Sequence, residues 1–265
     1  MVTVTPFRLE GRVALVTGAG SDTGIGFATA RFLGRMGATV VVTGASDRVH
    51  DRADELVSLG IEALAVSADL TVETEVGGLI AEILSTYERL DIVVNNAGMT
   101  SVAEPMETTG ETGSVTDLSR VQWDTSLARN LTTSFLVTKA ALPALRASGS
   151  GRIISVASVT GPAMAMVNDA AYAASKAGMV GLIRALAVDE AGAGITANAV
   201  APGWIATGSQ TEHEERQGHL VPVGRSATPD EVAACIGFLA SGEAAYVTGQ
   251  VLLVDGGNSI AEERA

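Results

Sequence analysis

Short apolar runs bounded by turn residues alternate along this chain with amphipathic stretches of helical length. Runs at 13–17, 39–43, 63–67, 92–95, 152–156, 196–200 and 250–254 read as strands. Between them, helices are expected at 26–36, 47–59, near 73–86, 117–146, 170–192 and 229–240. Strands alternating with helices of this length form βαβ units. The expected fold is therefore α/β: a doubly wound, seven-stranded, mostly parallel sheet with helices on both faces, one domain over 1–265. No linker, internal repeat or composition break divides it. Two polar stretches, about 99–116 and 204–228, interrupt the alternation and are long for simple connections. Both follow the carboxyl ends of predicted strands, the edge where open α/β sheets bind ligands.

Composition narrows the partners. With 47% hydrophobic residues in 265, there is ample material for a core, and the 30 glycines punctuate apolar runs as turns do. A formal charge of −13 with only 17 Lys and Arg argues against nucleic acid and anionic membrane surfaces. No run reaches 18 apolar residues and the opening MVTVTPFRLEGR lacks signal-peptide order, so a soluble, cytoplasmic protein is expected. The lone Cys235 can form no internal disulfide, and three His without a Cys cluster give no metal-ligand spacing.

Two segments carry chemistry. The first, TGAGSDTGIG at 17–26, follows the first strand and leads into a helix. Glycines there let backbone approach a pyrophosphate, and the helix N-terminus offers N–H groups and a positive dipole end. The second is Tyr172-Ala173-Ala174-Ser175-Lys176. On a helix this spacing places phenol and ammonium on one face. A charge about 5 Å away at an effective dielectric of about 20 is worth roughly 3 kcal/mol, enough to bring the phenol about two pKa units toward neutrality. A Tyr so tuned exchanges protons with an alcohol or carbonyl oxygen. Taken alone, YxxxK is usually a half-buried Tyr beside a solvated Lys.

Further motifs follow in order: Asp69-Leu70, Asn95-Asn96-Ala97-Gly98, Asn130, Ser158 in ISVAS, NAVAPG at 198–203, Thr207 and VDGG at 254–257. With this set the chain resembles the short-chain dehydrogenase/reductase family over nearly its whole length. The resemblance implies a Rossmann-type fold and an NAD(P)-dependent oxidoreductase. It implies Tyr172 as general acid/base, Lys176 binding the nicotinamide ribose and lowering the Tyr pKa, Ser158 holding the reacting oxygen, and Asn130 holding a water on the proton path. For the cofactor it implies Gly18, Ile25 and Gly26 at the pyrophosphate and Asp69 and Leu70 at the adenine. It further implies Asn96, Ala97 and Gly98 at the adjoining ribose, and Pro202, Gly203, Ile205 and Thr207 at the nicotinamide. Asp69 also reads as a turn former, Asn95 as a brace between strands, and VDGG as packing.

Two departures from the family pattern matter. The glycine-rich loop is two residues longer than usual, which leaves open which of Gly20, Ser21, Asp22, Thr23 and Gly24 meets the cofactor. Gly44 stands where NAD-preferring relatives commonly carry Asp, yet the loop has no Lys or Arg for a 2′-phosphate and carries Asp22, so only Arg48 with Ser46 could supply an NADP site, while Asp47 could hold a ribose. The reading leans to NAD over NADP.

The substrate is expected between Ser158 and Tyr172, walled by Met99, Val102, Gly161, Met164, Met166, Val167, Asn168 and Trp204. Mostly apolar walls suggest a secondary alcohol or ketone with an apolar or aromatic part. Asp169, Glu104 and Glu107 could attract a cationic group, such as that of an amino alcohol. The rival readings are a 3-oxoacyl-carrier-protein reductase and a nucleotide-sensing regulator that has lost turnover. The resemblance also implies a homotetramer or homodimer, with helices near 117–146 and 170–192 at one interface.

Overall fold

In the computed structural model, residues 7–98 and 112–263 are described, so Met99, Val102, Glu104 and Glu107 lie outside them. Seven strands form one parallel sheet in the order β3-β2-β1-β4-β5-β6-β7. They are β1 Val13–Thr17, β2 Thr39–Gly44, β3 Ala63–Ser67, β4 Ile92–Asn95, β5 Arg152–Val156, β6 Thr196–Pro202 and β7 Val251–Val254. Strands β1, β4, β5 and β6 are buried throughout, because helices cover both faces. The strand order reverses between β1 and β4, which pair from Ala14 with Ile92 to Val16 with Val94. A crevice opens beyond such a switch point.

The helices are α1 Ile25–Arg35, α2 Arg48–Ser58, α3 Glu73–Tyr87, α4 Arg120–Leu127, α5 Thr133–Ser148, α6 Ala170–Asp189, α7 Glu212–His219 and α8 Pro229–Ala240. One core, with Leu15, Val41, Leu79, Ile83, Leu145, Ile153 and Ile183, packs α3, α5 and α6 onto one face. The other, with Val16, Phe27, Leu33, Val42, Leu56, Ile154 and Ile236, packs α1, α2 and α8 onto the opposite face. Helix α6 has the length and mean hydropathy, 1.2, of a membrane span, but its apolar side lies against the first core, with α3 and α5.

Two expectations need correction. The helix expected over 117–146 starts at Arg120, behind a capping box of Ser119 with Gln122, and a π-helical turn at Ala128–Thr132 separates α4 from α5. Such turns re-aim a side chain without ending the helix. Within the stretch 204–228, taken from sequence as irregular, α7 forms behind a capping box of Thr211 with Glu214.

Candidate active site

The glycine-rich loop leaves β1 at Thr17, whose hydroxyl accepts the N–H groups of Asn96 (3.0 Å) and Ala97 (2.9 Å) and so ties the ends of β1 and β4 together. Asn96 donates from its side-chain amide to the carbonyls of Thr17 and Gly18, at 3.0 and 3.1 Å. Its amide therefore braces the loop, whatever ribose contact the rest of the residue makes. Gly18 sits at φ 67°, and a Cβ there would lie 2.7 Å from the Ala97 Cα; at Gly26 it would lie 2.4 Å from the Gly18 carbonyl oxygen. Both glycines are required by backbone packed on backbone. Gly24 occupies the N-cap of α1 and gives no side-chain cap, so the first-turn N–H groups lack a capping side chain. That leaves donors and the positive dipole end at the switch-point crevice, the cradle a pyrophosphate fits.

The extra length of the loop has a visible role. Thr23 Oγ1 accepts the Gly208 N–H at 3.1 Å, so the glycine-rich loop and the segment after β6 are fastened across the crevice. Nearby, Thr207 Oγ1 and Ser209 Oγ lie 3.1 Å apart, and Ile205 pairs with Ala227. Pro202 ends β6 and Gly203 donates to the Val254 carbonyl at 3.0 Å. At the adenosine end, Leu70 is buried, while Asp69 Oδ1 accepts the Thr71 N–H and hydroxyl at 2.9 and 2.7 Å. Its turn-forming reading is thus realised. Arg48 donates from Nε to Ser46 Oγ at 3.2 Å, and its Cβ is 3.8 Å from where a Gly20 Cβ would stand. Asp47 instead accepts from Ser67 at 3.2 Å.

Tyr172 and Lys176 lie one turn apart on α6 and are both buried. Lys176 Nζ donates to the Val156 carbonyl at 2.9 Å and stands 5.6 Å from the Tyr172 ring centre. A Cβ on Gly98 would be 2.8 Å from Asn130 Oδ1 and 3.6 Å from Lys176 Nζ, so the end of β4, the π turn and α6 converge here. Asn130 is held by donation from Nδ2 to the Ser126 carbonyl at 3.0 Å. Ser158, just past β5, acts on the Tyr172 phenol as a hydrogen-bonding neighbour that lowers its pKa, and accepts the Thr160 N–H at 3.1 Å.

The electrostatics differ from the sequence expectation. Burial pushes the Tyr172 phenol above its ordinary value; the Ser158 hydrogen bond opposes this, and the charges of Asp169 and Glu214 add to it. Burial also pulls the Lys176 amine down to about 8, so its charge is itself costly at this depth. A Coulomb estimate alone omits the desolvation of both groups, which here decides the direction.

The expected substrate walls fare unevenly. Gly161, at φ 99°, would put a Cβ 2.3 Å from the Ala173 carbonyl oxygen, so its bareness lets the chain cross α6. Met164 pairs with Thr160 and its sulfur accepts from Asn258 at 3.6 Å. Met166, Val167 and Asn168 are exposed. Trp204 has a buried Nε1 without a partner and lines a cavity of about 120 Å³ with Val221, Val223 and Val254. A larger one, about 310 Å³, lies at the start of α6 between Val115, Leu118, Trp123 and Ala170. Neither is lined by Tyr172. Sequence reasoning gave no role to Glu214, which α7 brings near the phenol, or to the Thr23 fastening.

A glycine-cradled, uncapped helix N-terminus together with a half-buried Ser158 and buried Tyr172 and Lys176 is the apparatus of a nicotinamide-dependent oxidoreductase. The family described as Enoyl-(Acyl carrier protein) reductase matches residues 18–259. The chain belongs to the short-chain dehydrogenase/reductase family and is an NAD(P)-dependent oxidoreductase that interconverts a secondary alcohol and a ketone. It is 39% identical over 250 residues to a cis-4-hydroxycyclohexanecarboxylate dehydrogenase of Sinomonas cyclohexanicum, covering 93% of this chain and 96% of that one. To a 3-oxoacyl-[acyl-carrier-protein] reductase of Synechocystis sp. it is 41% identical over 254 residues, with coverages of 94% and 97%. A crystal structure from Beutenbergia cavernae, provisionally assigned as an NAD(P)-dependent gluconate 5-dehydrogenase with NADP at low occupancy, superposes with a TM-score of 0.85. That chain is 39% identical, with 96% of this chain and 98% of that one covered.

Proposed function

We propose that Tyr172 is the acid/base of this enzyme, giving a proton to the carbonyl oxygen in reduction and taking it back in oxidation. The observation that carries this is a buried phenol one turn from a buried lysine at the end of β5, with Ser158 acting on the phenol. When bound, the nicotinamide cofactor supplies or takes up the hydride. Ser158 steadies the charge developing on the reacting oxygen. Lys176, whose Nζ has spare donors beyond Val156, fits the cofactor's ribose hydroxyls, and Asn130 holds the proton path toward it.

Gly18, Ser21, Thr23, Gly24, Ile25 and Gly26 form the pyrophosphate cradle, with Asp69 and Leu70 at the adenine, Asn96, Ala97 and Gly98 at the ribose, and Pro202, Gly203, Ile205 and Thr207 at the nicotinamide. Against the lean to NAD that the loop without Lys or Arg, Asp22 and Asp47 suggest from sequence, NADP is the preferred cofactor. Support comes from Arg48, which donates to neutral Ser46 at the end of β2, while the Asp47 carboxylate is engaged by Ser67.

The substrate is a secondary alcohol or ketone with an apolar or aromatic portion. The carboxylate in the name of one relative places negative charge on its substrate, whereas Asp169 and Glu214 both act on the Tyr172 phenol here. That favours neutral or cationic groups near the reacting carbon over a carboxylate. Residues 1–265 act as one catalytic domain, in a cytoplasmic homotetramer or homodimer. Support for assembly is the exposure of Val121 on α4, Phe135 on α5 and Val188 on α6. The test is a panel of aryl ketones, amino alcohols, hydroxy acids and an acyl thioester, followed at the NAD(P)H absorbance with both cofactors, on the wild type and Tyr172→Phe. The Phe variant is expected to lose about 10²- to 10⁴-fold in turnover while still binding cofactor. Near-normal turnover by it would remove Tyr172 from the chemistry, and turnover of the thioester alone would establish the carrier-protein reading.

A further inference from the structure

Asp169 stands immediately before α6, three residues ahead of Tyr172, at the N-cap position. An Asp there ordinarily accepts a hydrogen bond from the first turn of its helix. This one does not: it makes no side-chain cap, with φ −128° and ψ 33° following Asn168 in the left-handed region at φ 61°. The carboxyl is nonetheless buried, at 6% exposure, and its Oδ1 has no hydrogen-bond partner. Beside it Gly113 forms an isolated β-bridge with Asp169 and donates from its N–H to the Asn168 carbonyl at 2.8 Å. Neither the fold nor the proton chemistry at Tyr172 uses this carboxyl, and a bare buried carboxylate oxygen is expensive to keep.

We infer that Asp169 is a specificity residue of the active site, whose free oxygen accepts a hydrogen bond from a donor on the substrate, a hydroxyl or ammonium carried close to the reacting carbon. The inference rests on the reading of Tyr172 as the acid/base. Position supports it: residues three apart at a helix start share a face, and the Asp169 charge is felt at the phenol. Burial raises the Asp169 carboxyl to about 6, which leaves it ionised at neutral pH and in want of a donor. The same charge repels a substrate carboxylate at that place.

The test uses four matched phenyl ketones: propiophenone, 2-hydroxyacetophenone, 2-aminoacetophenone and benzoylacetate. The readout is the ratio of kcat/KM for each substituted ketone to that for propiophenone within one variant, so general damage to turnover cancels. Wild type is expected to favour the hydroxy and amino ketones by about 10- to 100-fold, the worth of a hydrogen bond to a charged group, and to disfavour benzoylacetate. Asp169→Asn, nearly isosteric, should abolish the preference for the ammonium and keep part of that for the hydroxyl; Asp169→Ala should abolish both. If the ratios are the same in wild type and Asp169→Asn, or if wild type prefers benzoylacetate, the inference is wrong and the Tyr172 reading stands. If wild type turns over none of the four with either cofactor, the inference is wrong, while the Tyr172 reading is decided separately by Tyr172→Phe on the wider panel.

Discussion

Replacing Lys176 by Met should make the protein more stable while removing its activity. The Lys176 amine is buried against the Val156 carbonyl, and burial lowers it from 10.5 to about 8. Holding the charge at pH 7 therefore costs folding about 3 kcal/mol. Met has a similar unbranched shape and no charge. It forfeits one hydrogen bond, about 1 kcal/mol, so a net gain of about 2 kcal/mol remains. For a chain of this size that is an increase of about 4–8 °C in Tm. The gain has a defined pH window. Between about 8 and 10.5 the unfolded chain still binds the lysine proton and the folded one does not, so wild-type stability rises with pH across that interval. The advantage of Met should be complete at pH 7 and absent above about 10.5. Thermal melts of both proteins without cofactor, at equal concentration from pH 6 to 10.5, measure it. Added NADPH should raise the wild-type Tm more than that of Lys176→Met, because only the amine can meet the ribose. A Met variant that melts below wild type at pH 7, or by a margin independent of pH, would refute the argument that desolvation dominates at this lysine.

Arg48→Ala should raise KM for NADPH about 10- to 100-fold with little effect on NADH, read from initial rates with each cofactor; equal effects would place the arginine outside the phosphate site. Gly161→Ala should destabilise by more than about 2 kcal/mol, because its Cβ would meet the Ala173 carbonyl at 2.3 Å with φ at 99°. Gly181→Ala on the open side of α6, with nothing within 4 Å, should instead stabilise by about 0.5–1 kcal/mol, and denaturant midpoints separate the two. For Asp169→Asn the pH dependence runs opposite to that at Lys176. The carboxyl is raised from 3.8 to about 6, so between those values the unfolded chain releases a proton that the folded chain keeps, and wild-type stability falls as pH rises. The Asn variant should match wild type near pH 4 and exceed it by about 2–3 kcal/mol above pH 6; denaturation at both pH values checks it.

Strands were legible because they lie buried on both faces: β1 and β5 are apolar runs with no competing period, and their predicted ends coincide with those observed. Helix α7 was missed because it is short and polar and earns no hydrophobic stripe, though Thr211 with Glu214 carried its capping signal in the sequence. The π turn at Ala128–Thr132 had no such signal, since one extra residue in a helical turn changes the hydrogen-bond pattern and leaves composition alone. At the site, spacing gave the residues but not their duties. Asn96 and Gly161 stand where ligand contact was expected, and each also answers a packing need that appears only when β4 meets the glycine-rich loop or residue 161 meets α6. The reversal at Tyr172 has the same origin. Sequence supplies the distance between phenol and ammonium through helix geometry, but desolvation depends on what every other element places over them, and here that contribution is the larger. Asp169 shows the converse: three residues before Tyr172 the sequence reads it, with Glu104 and Glu107, as an acid that could attract a cationic group, and its burial and bare oxygen set it apart as a group that needs a partner.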